Sequence, residues 1–481
     1  MEYRSQLDKK HNIAILVSLL AIAIFGAYYL ITNWGFYGMA LSIGLLFYLA
    51  LSPLLMFRNR FFLFLWLFIS PFLYKSSYLG QISVPTFIIT GLSMPYALVL
   101  FYNHMSELLK KFDFLKFIIF LQILMLLNLF RPDSSPALVL MMVRYYFIAF
   151  FIVGITYFYM KTENKASFIY KCTVPIGIIN ALVAVFQKAT GVGMMIIEGF
   201  PRVSGIFPHP NQCGFFINLF MPLSIYLLTQ AKTRKQKIFF LFNFLLSLLV
   251  LVLTLSKTSY LIFLINIVLF MNIYGNIKTK FKIYLSIPII ASVILVLCSI
   301  FNYNIIGLIG ERFSNTDSLS WRLRIWSFVI QGMDLWKFLF GAGLDTADRY
   351  IMSVNSIYES SNIHNGYLQL VYELGIFGLS FIAFIVAIFR RSLKFMLDKK
   401  YSDVKIYGLI PLMLANVFLI ETFFDQSIQS RFSLYLFIVL SAVFYVKMNN
   451  AEESYASEVR KNAAMEEMPD CTDSNNRHIC S

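Results

Sequence analysis

Charged residues are scarce in this sequence. Only 14% of its 481 residues are Asp, Glu, Lys or Arg, whereas an average soluble domain carries about 25%. The five cysteines form no CxxC pair and no Cys/His cluster, which argues against a zinc site and against a disulfide framework. The low charged fraction and the lack of Cys clusters argue against a soluble domain stabilised by a metal or by disulfides.

Acidic residues are in the minority among the few charges, and the formal net charge is +15. A strongly basic chain can bind nucleic acid, in which case the positive residues form a patch on a basic domain. Here they lie in short loops between apolar runs, as in membrane proteins. We therefore expect membrane lipids, and no nucleic acid, as partners.

Long apolar runs are abundant. Runs of about 18–24 residues recur from Ile13 to Val446, and a helix of this length crosses a bilayer. They predict an all-α fold, a polytopic membrane helix bundle of about 14 spans (12–14) with one long, partly helical exterior loop. The first run is too long for a signal-peptide core, so we interpret it as a span. The predicted spans are 13–32, 37–57, 61–74, 84–103, 114–130, 137–160, 168–187, 211–229, 238–255, 258–274, 283–301, 364–389, 405–424 and 431–447.

Lysine and arginine are unevenly shared between alternate loops. If the N-terminus lies inside, every inner loop carries more positive residues than its outer neighbours, which is the positive-inside pattern. Both termini are then cytoplasmic. Five segments follow from this arrangement. They are a cytoplasmic N-terminus (1–12), transmembrane helices 1–11 (13–301), a large exterior, periplasmic loop (302–363), transmembrane helices 12–14 (364–447) and a disordered cytoplasmic tail (448–481).

Polar groups that could carry chemistry are few on the predicted outer face, and most are basic. Arginine forks bind phosphate oxygens bidentately, and a neutral imidazole can accept a proton near pH 7. No cluster of acids that could hold a metal accompanies them in the sequence. These basic residues and the imidazole suit a substrate with a diphosphate leaving group. Outside the cell, such a group is best supplied on a lipid. The residues are Arg202, Lys257, Arg322, Arg324 and His364.

Each of these residues also has an ordinary structural interpretation. A Lys or Arg at the end of a span commonly snorkels to the headgroups, and a His at a helix start is commonly a polar cap. The FPHPN segment could be a turn before a helix. Gly375 and Gly378 could form a close helix-packing face, and Arg144 and Glu373 could form a buried pair within the spans.

Three stretches carry a resemblance to a known family. They are RVSGIFPHPNQCGFF before a span, LTLSKTSYL, and a third running from WRLRIWSFVIQGMDLWKFLFGAGLDT to SNIHNGYLQLVYELGIFG. Together they resemble the O-antigen ligase/polymerase family of bacterial inner-membrane glycosyltransferases, in which Arg is commoner than Lys at position 257. The resemblance covers about 200–390, whereas 1–190 match only in hydropathy.

This resemblance implies a multi-pass glycosyltransferase of the bacterial inner (plasma) membrane that uses no metal and no cofactor. Its substrate would be an undecaprenyl-diphosphate-linked oligosaccharide. By the same resemblance, His364 would be the general base and Arg322 would clamp the departing diphosphate. Arg324 ranks below Arg322 because, two residues further on, it points to a different helix face. The other implied binding positions are Arg202, Lys257, Asn211 and Asn365.

Two functions share this donor and these motifs. A polymerase, which we favour, joins lipid-linked repeat units into an O-antigen, capsule or exopolysaccharide. A ligase transfers the glycan to lipid A-core or another acceptor. Chain-length regulator and flippase proteins are conceivable partners of either. A third hypothesis, a lipid-glycan transporter, is disfavoured because charged residues within the spans are few and no internal repeat is evident.

Overall fold

The computed structural model describes residues 59–69, 78–79, 82–163, 166–274, 305–314, 317–354, 362–425 and 431–466. The predicted spans 13–32, 37–57 and 283–301 therefore lie outside the described residues. Within those ranges the chain is almost entirely helical. Two short antiparallel strand pairs interrupt the helices, β1 (Tyr78–Leu79) with β2 (Ile82–Ser83) and β3 (Met195–Ile197) with β4 (Phe200–Arg202).

The first eight described helices follow the predicted spans closely. They are α1 (Asn59–Phe64), which continues as a π-helical turn (Leu65–Ile69), α2 (Val84–Lys111), α3 (Leu115–Leu127), α4 (Pro136–Glu163), α5 (Ser167–Thr190), α6 (Pro210–Gln230), α7 (Arg234–Leu253) and α8 (Lys257–Tyr274). Residues at the N-terminus of α6 and of α7 explain where these two helices begin. Pro210 opens α6, where a missing N–H costs nothing. Thr233 and Gln236 form a capping box at the start of α7.

The remaining helices divide into an exterior layer and a second set of spans. The exterior layer consists of α9 (Ile305–Ser314), α10 (Asp317–Gln331), α11 (Leu335–Phe340), α12 (Thr346–Val354) and α13 (Gly366–Leu374). The later spans are α14 (Ser380–Leu397), preceded by a 3-10 turn (Ile376–Leu379), α15 (Ile406–Phe424) and α16 (Arg431–Glu466).

Seven of the described helices are long and apolar enough to cross a membrane. Two shorter apolar helices, Leu115–Phe130 and Lys257–Ile273, accompany them. The prediction of an all-α polytopic membrane bundle is confirmed, and the total of about 14 spans stays a prediction. The seven candidate spans are Leu138–Lys161, Ser167–Thr190, Pro210–Gln230, Arg234–Leu253, Ile376–Leu397, Ile406–Phe424 and Ser433–Ala463.

The predicted span 364–389 is wrong in one respect, because the helix breaks at Gly375. This glycine has a backbone φ of +71°, and a Cβ there would lie 2.3 Å from the carbonyl oxygen of Leu339. Only glycine accommodates both the left-handed backbone and this close approach. Helix α13 therefore belongs to the exterior layer, and the membrane span begins at Ile376. The structural interpretation of Gly375 as a packing position is confirmed.

The suggested buried pair between Arg144 and Glu373 does not form. A carboxylate oxygen of Glu373 accepts hydrogen bonds from the backbone N–H of Asp345 (3.1 Å) and from Nε2 of Gln369 (3.4 Å). Arg144 instead lies over the ring of Tyr145, 5.3 Å from its centroid. Glu373 thus joins α13 to the start of α12.

The tail predicted to be disordered from 448 is helical as far as Glu466, because α16 continues beyond its apolar part. Its polar extension is rich in Ala and Glu, which favour helix. Ion pairs tie it to the neighbouring helix ends, from Lys111 to Glu453 (2.6 Å) and from Arg391 to Glu452 (2.5 Å). The last residues, 467–481, lie outside the described part of the chain.

Contacts with the loop before α4 hold the exterior layer on the bundle. The guanidinium of Arg131 donates hydrogen bonds to the carbonyl oxygens of Phe340 and Gly341. The backbone N–H of Leu344 donates to the hydroxyl of Ser134 (3.2 Å). These bonds place α10 to α13 over the end of the bundle at which α3 ends and α4 begins.

Candidate functional site

Arg202 is the last residue of β4, and the loop that follows it is shaped by two amide side chains of α5. Gln187 accepts hydrogen bonds from the backbone N–H groups of Ser204 (3.0 Å) and Gly205 (2.8 Å). Asn180 accepts one from Ile206 (3.1 Å). Both amides are buried, so this loop is ordered from within the bundle and does not depend on the exterior layer.

Arg202 is a buried cation held by the bundle itself. Its side chain is 1% exposed. Nε donates a hydrogen bond to the carbonyl oxygen of Thr254 (2.6 Å), and Nη2 donates to Oδ1 of Asn211 (2.7 Å). Burial, together with the nearby charge of Arg322, lowers the pKa of Arg202 to about 10. The guanidinium therefore stays positive at neutral pH, and these two contacts fix its orientation.

His209 lies between Arg202 and the first residues of α6. Its Nδ1 accepts a hydrogen bond from the backbone N–H of Asn211 (3.2 Å), which caps the helix. Burial is the largest effect on its pKa, which is lowered to about 4 although Asp425 raises it. His209 is therefore neutral at pH 7, and its capping bond leaves the ring proton on Nε2.

Arg322 is the cation that links the exterior layer to the bundle. It lies half-buried on α10, and its buried Nε has no hydrogen-bond partner among the described residues. Its charge acts on Arg202, Lys257 and Arg312. Burial lowers the pKa of Arg322, while the carboxylates of Asp425 and Glu421 raise it. Arg202, Lys257, Arg312 and Arg322 therefore lie close enough for their charges to interact, and Nε of Arg322 has unused donor capacity within the described part of the chain.

Arg312 joins this group from α9. Its side chain is 7% exposed, forms an ion pair with Glu198 and lies 5.6 Å from the centroid of the Phe200 ring. Burial, with the charge of Arg322 adding to it, lowers the pKa of Arg312. The pair fastens α9 to the turn between β3 and β4.

His364 meets a carboxylate at the end of α15. Nδ1 of His364 lies 3.3 Å from Oδ1 of Asp425, and both side chains are about one-fifth exposed, at 20% and 23%. The imidazole also packs on Trp321, with ring centroids 5.2 Å apart. His364 has a positive backbone φ of 50°, a conformation uncommon outside glycine. Backbone strain of this kind concentrates at functional sites.

Residues 242–383 match the family model for O-antigen ligase. These residues carry an O-antigen ligase domain. The match confirms the resemblance to the O-antigen ligase/polymerase family, and the chain is an integral membrane protein with a function of that type. Members of this family are glycosyltransferase-like enzymes that act on lipid-linked glycans. A search of curated proteins returned no match.

The matched O-antigen ligase segment includes Lys257, Arg322 and His364, whereas Arg202 and Asp425 lie outside it. The structure nevertheless brings residues from both parts together. Lys257 opens α8 three residues after Thr254, whose carbonyl oxygen accepts a hydrogen bond from Arg202. The site is therefore assembled from the matched segment and from the spans before and after it.

The structure gives Asn365 a capping contact and places Arg324 on another face of α10. Asn365 caps α13, where its Oδ1 accepts a hydrogen bond from the backbone N–H of Leu368 (3.0 Å). The side chain of Arg324 is exposed, on a different face of α10 from Arg322, as expected for residues two apart on a helix.

Sequence reasoning missed four residues that the structure places with the predicted ones. They are His209, Arg312, Glu421 and Asp425. His209 lies inside the FPHPN motif, which by its sequence could be a turn before a helix. A signal for the acids was present, since Glu421 and Asp425 are one helical turn apart at the end of a span, where an acid is costly without a partner.

Proposed function

We propose that this protein is a polymerase of undecaprenyl-diphosphate-linked oligosaccharide repeat units, acting on the outer face of the bacterial inner membrane. The observation that supports the proposal is the convergence of Arg202, Lys257, Arg312 and Arg322 next to the His364–Asp425 pair. Such a set offers an anion site and a base at one place, which a transfer from a lipid diphosphate requires.

In this proposal the cations receive the diphosphate of the donor. The buried Nε of Arg322 has no hydrogen-bond partner in the part of the chain that the structure describes, and a guanidinium group can bind two phosphate oxygens at once. Arg202 is already oriented by Thr254 and Asn211, so it supplies a preorganised positive field. Stabilising the charge that develops on a leaving group in this way typically contributes about two to three orders of magnitude in rate.

His364 is the proposed general base. A proton on Nδ1, on the side of Asp425, places the imidazole lone pair on Nε2, and in this proposal that lone pair accepts the proton of an acceptor hydroxyl. The hydroxyl oxygen then bonds to the anomeric carbon as the bond from that carbon to the diphosphate oxygen breaks. The diphosphate leaves with the bonding pair. His209 is unsuited to this role, because its Nδ1 caps α6 and its pKa is lowered to about 4.

The acceptor distinguishes polymerase from ligase. The exterior layer over the site consists of short helices, the longest being α10 with 15 residues, and a layer of this size suits a short repeat unit as acceptor. The description of the matched family favours the second candidate, an O-antigen ligase that transfers the glycan to lipid A-core or another acceptor.

Deletion of the gene, with analysis of the surface glycan, separates the two. Loss of long chains with a single repeat unit still attached is the result expected for a polymerase. Loss of all attached glycan, with polymer accumulating on the lipid carrier, would instead assign the ligase reaction. Unchanged surface glycan, with the deletion verified, would contradict both.

A further inference from the structure

An apolar groove of about 730 Å³ runs between the exterior layer and the outer end of α15. Carbon atoms dominate its surface. Among the described residues, Asp334 is the only charged one that lines it, and its carboxylate caps α11 by accepting from the backbone N–H of Lys337 (2.8 Å). The apolar lining includes Trp326, Ile330, Phe338, Leu368, Val371 and Phe423.

One end of the groove lies near Arg322 and His364. On α10, Trp326 lies one helical turn after Arg322 and Ile330 two turns after it, so all three share a face. Nε1 of Trp326 donates to the carbonyl oxygen of Ile363 (2.9 Å), directly before His364. The Trp326 ring packs against Phe423, two residues before Asp425, with centroids 5.4 Å apart. Two lining residues of the groove, Trp326 and Phe423, thus lie one helical turn from Arg322 and two residues from Asp425.

The other end of the groove lies at α11, a helix without a single buried side chain. Leu335 and Trp336 are 69% and 72% exposed. The helix also approaches the 3-10 turn at the start of the span Ile376–Leu397, where Phe377 is exposed too. Exposed Trp and Phe at the end of a span are typical of the membrane–water interface. These exposed side chains indicate that this end lies at the membrane–water interface.

We propose that this groove holds the first isoprene units of the polyprenyl chain of the donor, which enters from the bilayer past α11. The inference rests on the proposed function. The donor is favoured because its chain is bonded directly to the diphosphate and must begin within a few ångströms of Arg322. The chain of a lipid-linked acceptor is separated from the reacting hydroxyl by its own sugars, so it begins further away.

A photoreactive donor tests the assignment. The probe is a polyprenyl-diphosphate-linked glycan with a diazirine on the second isoprene unit, added to the full-length protein in lipid nanodiscs. Labelling mapped to Trp326, Ile330, Leu368 or Phe423 is expected. Labelling confined to other spans would overturn the assignment, as would equal labelling of the groove by a diazirine-bearing phospholipid, which would make bulk lipid the occupant.

Two matched variants on α10 extend the test. Ile330 lines the groove and is 60% exposed, whereas Leu323 is 52% exposed and does not line it. A charge opposes the entry of hydrocarbon, so Ile330→Glu should lower labelling by the donor probe about ten-fold and raise its KM, while Leu323→Glu leaves both unchanged. Equal effects of the two substitutions would contradict the proposal.

Failure of the proposed function gives a different result. If the wild-type protein transfers no glycan from the polyprenyl diphosphate donor, the proposed reaction is wrong whatever the groove binds. If transfer proceeds and the groove remains unlabelled, the reaction stands and the groove assignment falls. Thermal unfolding of both glutamate variants at the wild-type temperature shows that the substitutions act locally.

Discussion

Nδ1 of His364 lies 3.3 Å from Oδ1 of Asp425, and the two residues belong to different layers of the molecule. His364 precedes α13 in the exterior layer, whereas Asp425 caps the C-terminus of α15 in the bundle. Their contact exists only when the exterior layer is docked on the bundle. The proposed base is therefore oriented by the same packing that brings Arg322 to Arg202.

Replacing His364 with Ala should abolish polymer while the protein still reaches the membrane, because the acceptor hydroxyl loses its base. Asp425→Asn should keep the shape of the side chain at 425 but no longer favour the His364 tautomer that carries its proton on Nδ1. For Asp425→Asn we expect a fall in kcat of roughly 10²–10⁴ with little change in donor KM. Kinetics with purified protein measure both. Long-chain glycan retained by His364→Ala would remove His364 from the mechanism.

Arg322→Lys keeps the positive charge but loses the planar fork, so donor binding and diphosphate departure should both weaken. A fall in kcat/KM of about 10–10² is expected. The matched control is Arg324→Lys on the same helix, whose side chain is exposed and which should behave as wild type. Full activity of Arg322→Lys would show that this residue only snorkels to lipid headgroups.

Asn211→Asp should place a carboxylate against Arg202, where Oδ1 of Asn211 now accepts from Nη2 at 2.7 Å. The positive field of the anion site would then be partly cancelled, and the donor KM should rise about ten-fold or more. Asn211→Ala removes the same hydrogen bond without adding charge, so its effect on KM should be smaller. If the two variants have equal KM values, Arg202 does not act through its charge.

Glu373→Gln should flatten the pH dependence of stability. Burial, with the nearby charge of Asp348 adding to it, raises the pKa of Glu373 from 4.5 to about 8. The folded state then binds a proton that the unfolded state has lost. The stabilisation is fully present below about pH 4.5 and is lost as the pH rises through about 8.

The wild-type unfolding temperature should accordingly fall between pH 5 and pH 8.5, and the fall should be smaller in Glu373→Gln by roughly 3 °C or more. Thermal unfolding in detergent micelles measures this difference. Glu311→Gln, at an exposed position of the same layer, is the control and should keep the wild-type slope. An unchanged slope in Glu373→Gln would show that this carboxyl is already ionised in the folded protein.

Much of the site could be predicted because its motifs are local in sequence. Arg202, Lys257, Arg322 and His364 stand out as polar groups at the ends of apolar runs, and the structure brings them near one another. Asp425 could not be assigned in this way. Its distance from His364 is decided by how α13 docks on α15, a contact between segments far apart in the chain.

The sequence by itself determined the membrane bundle and the course of most spans. A lipid-spanning segment must satisfy its backbone polar groups internally and must be about 20 apolar residues long, and both requirements can be read along the chain. The tertiary structure alone decided the break at Gly375, the helical continuation to Glu466 and the partners of His364 and Arg322. Each of these depends on close packing or electrostatic contact between distant segments, which no local pattern of residues encodes.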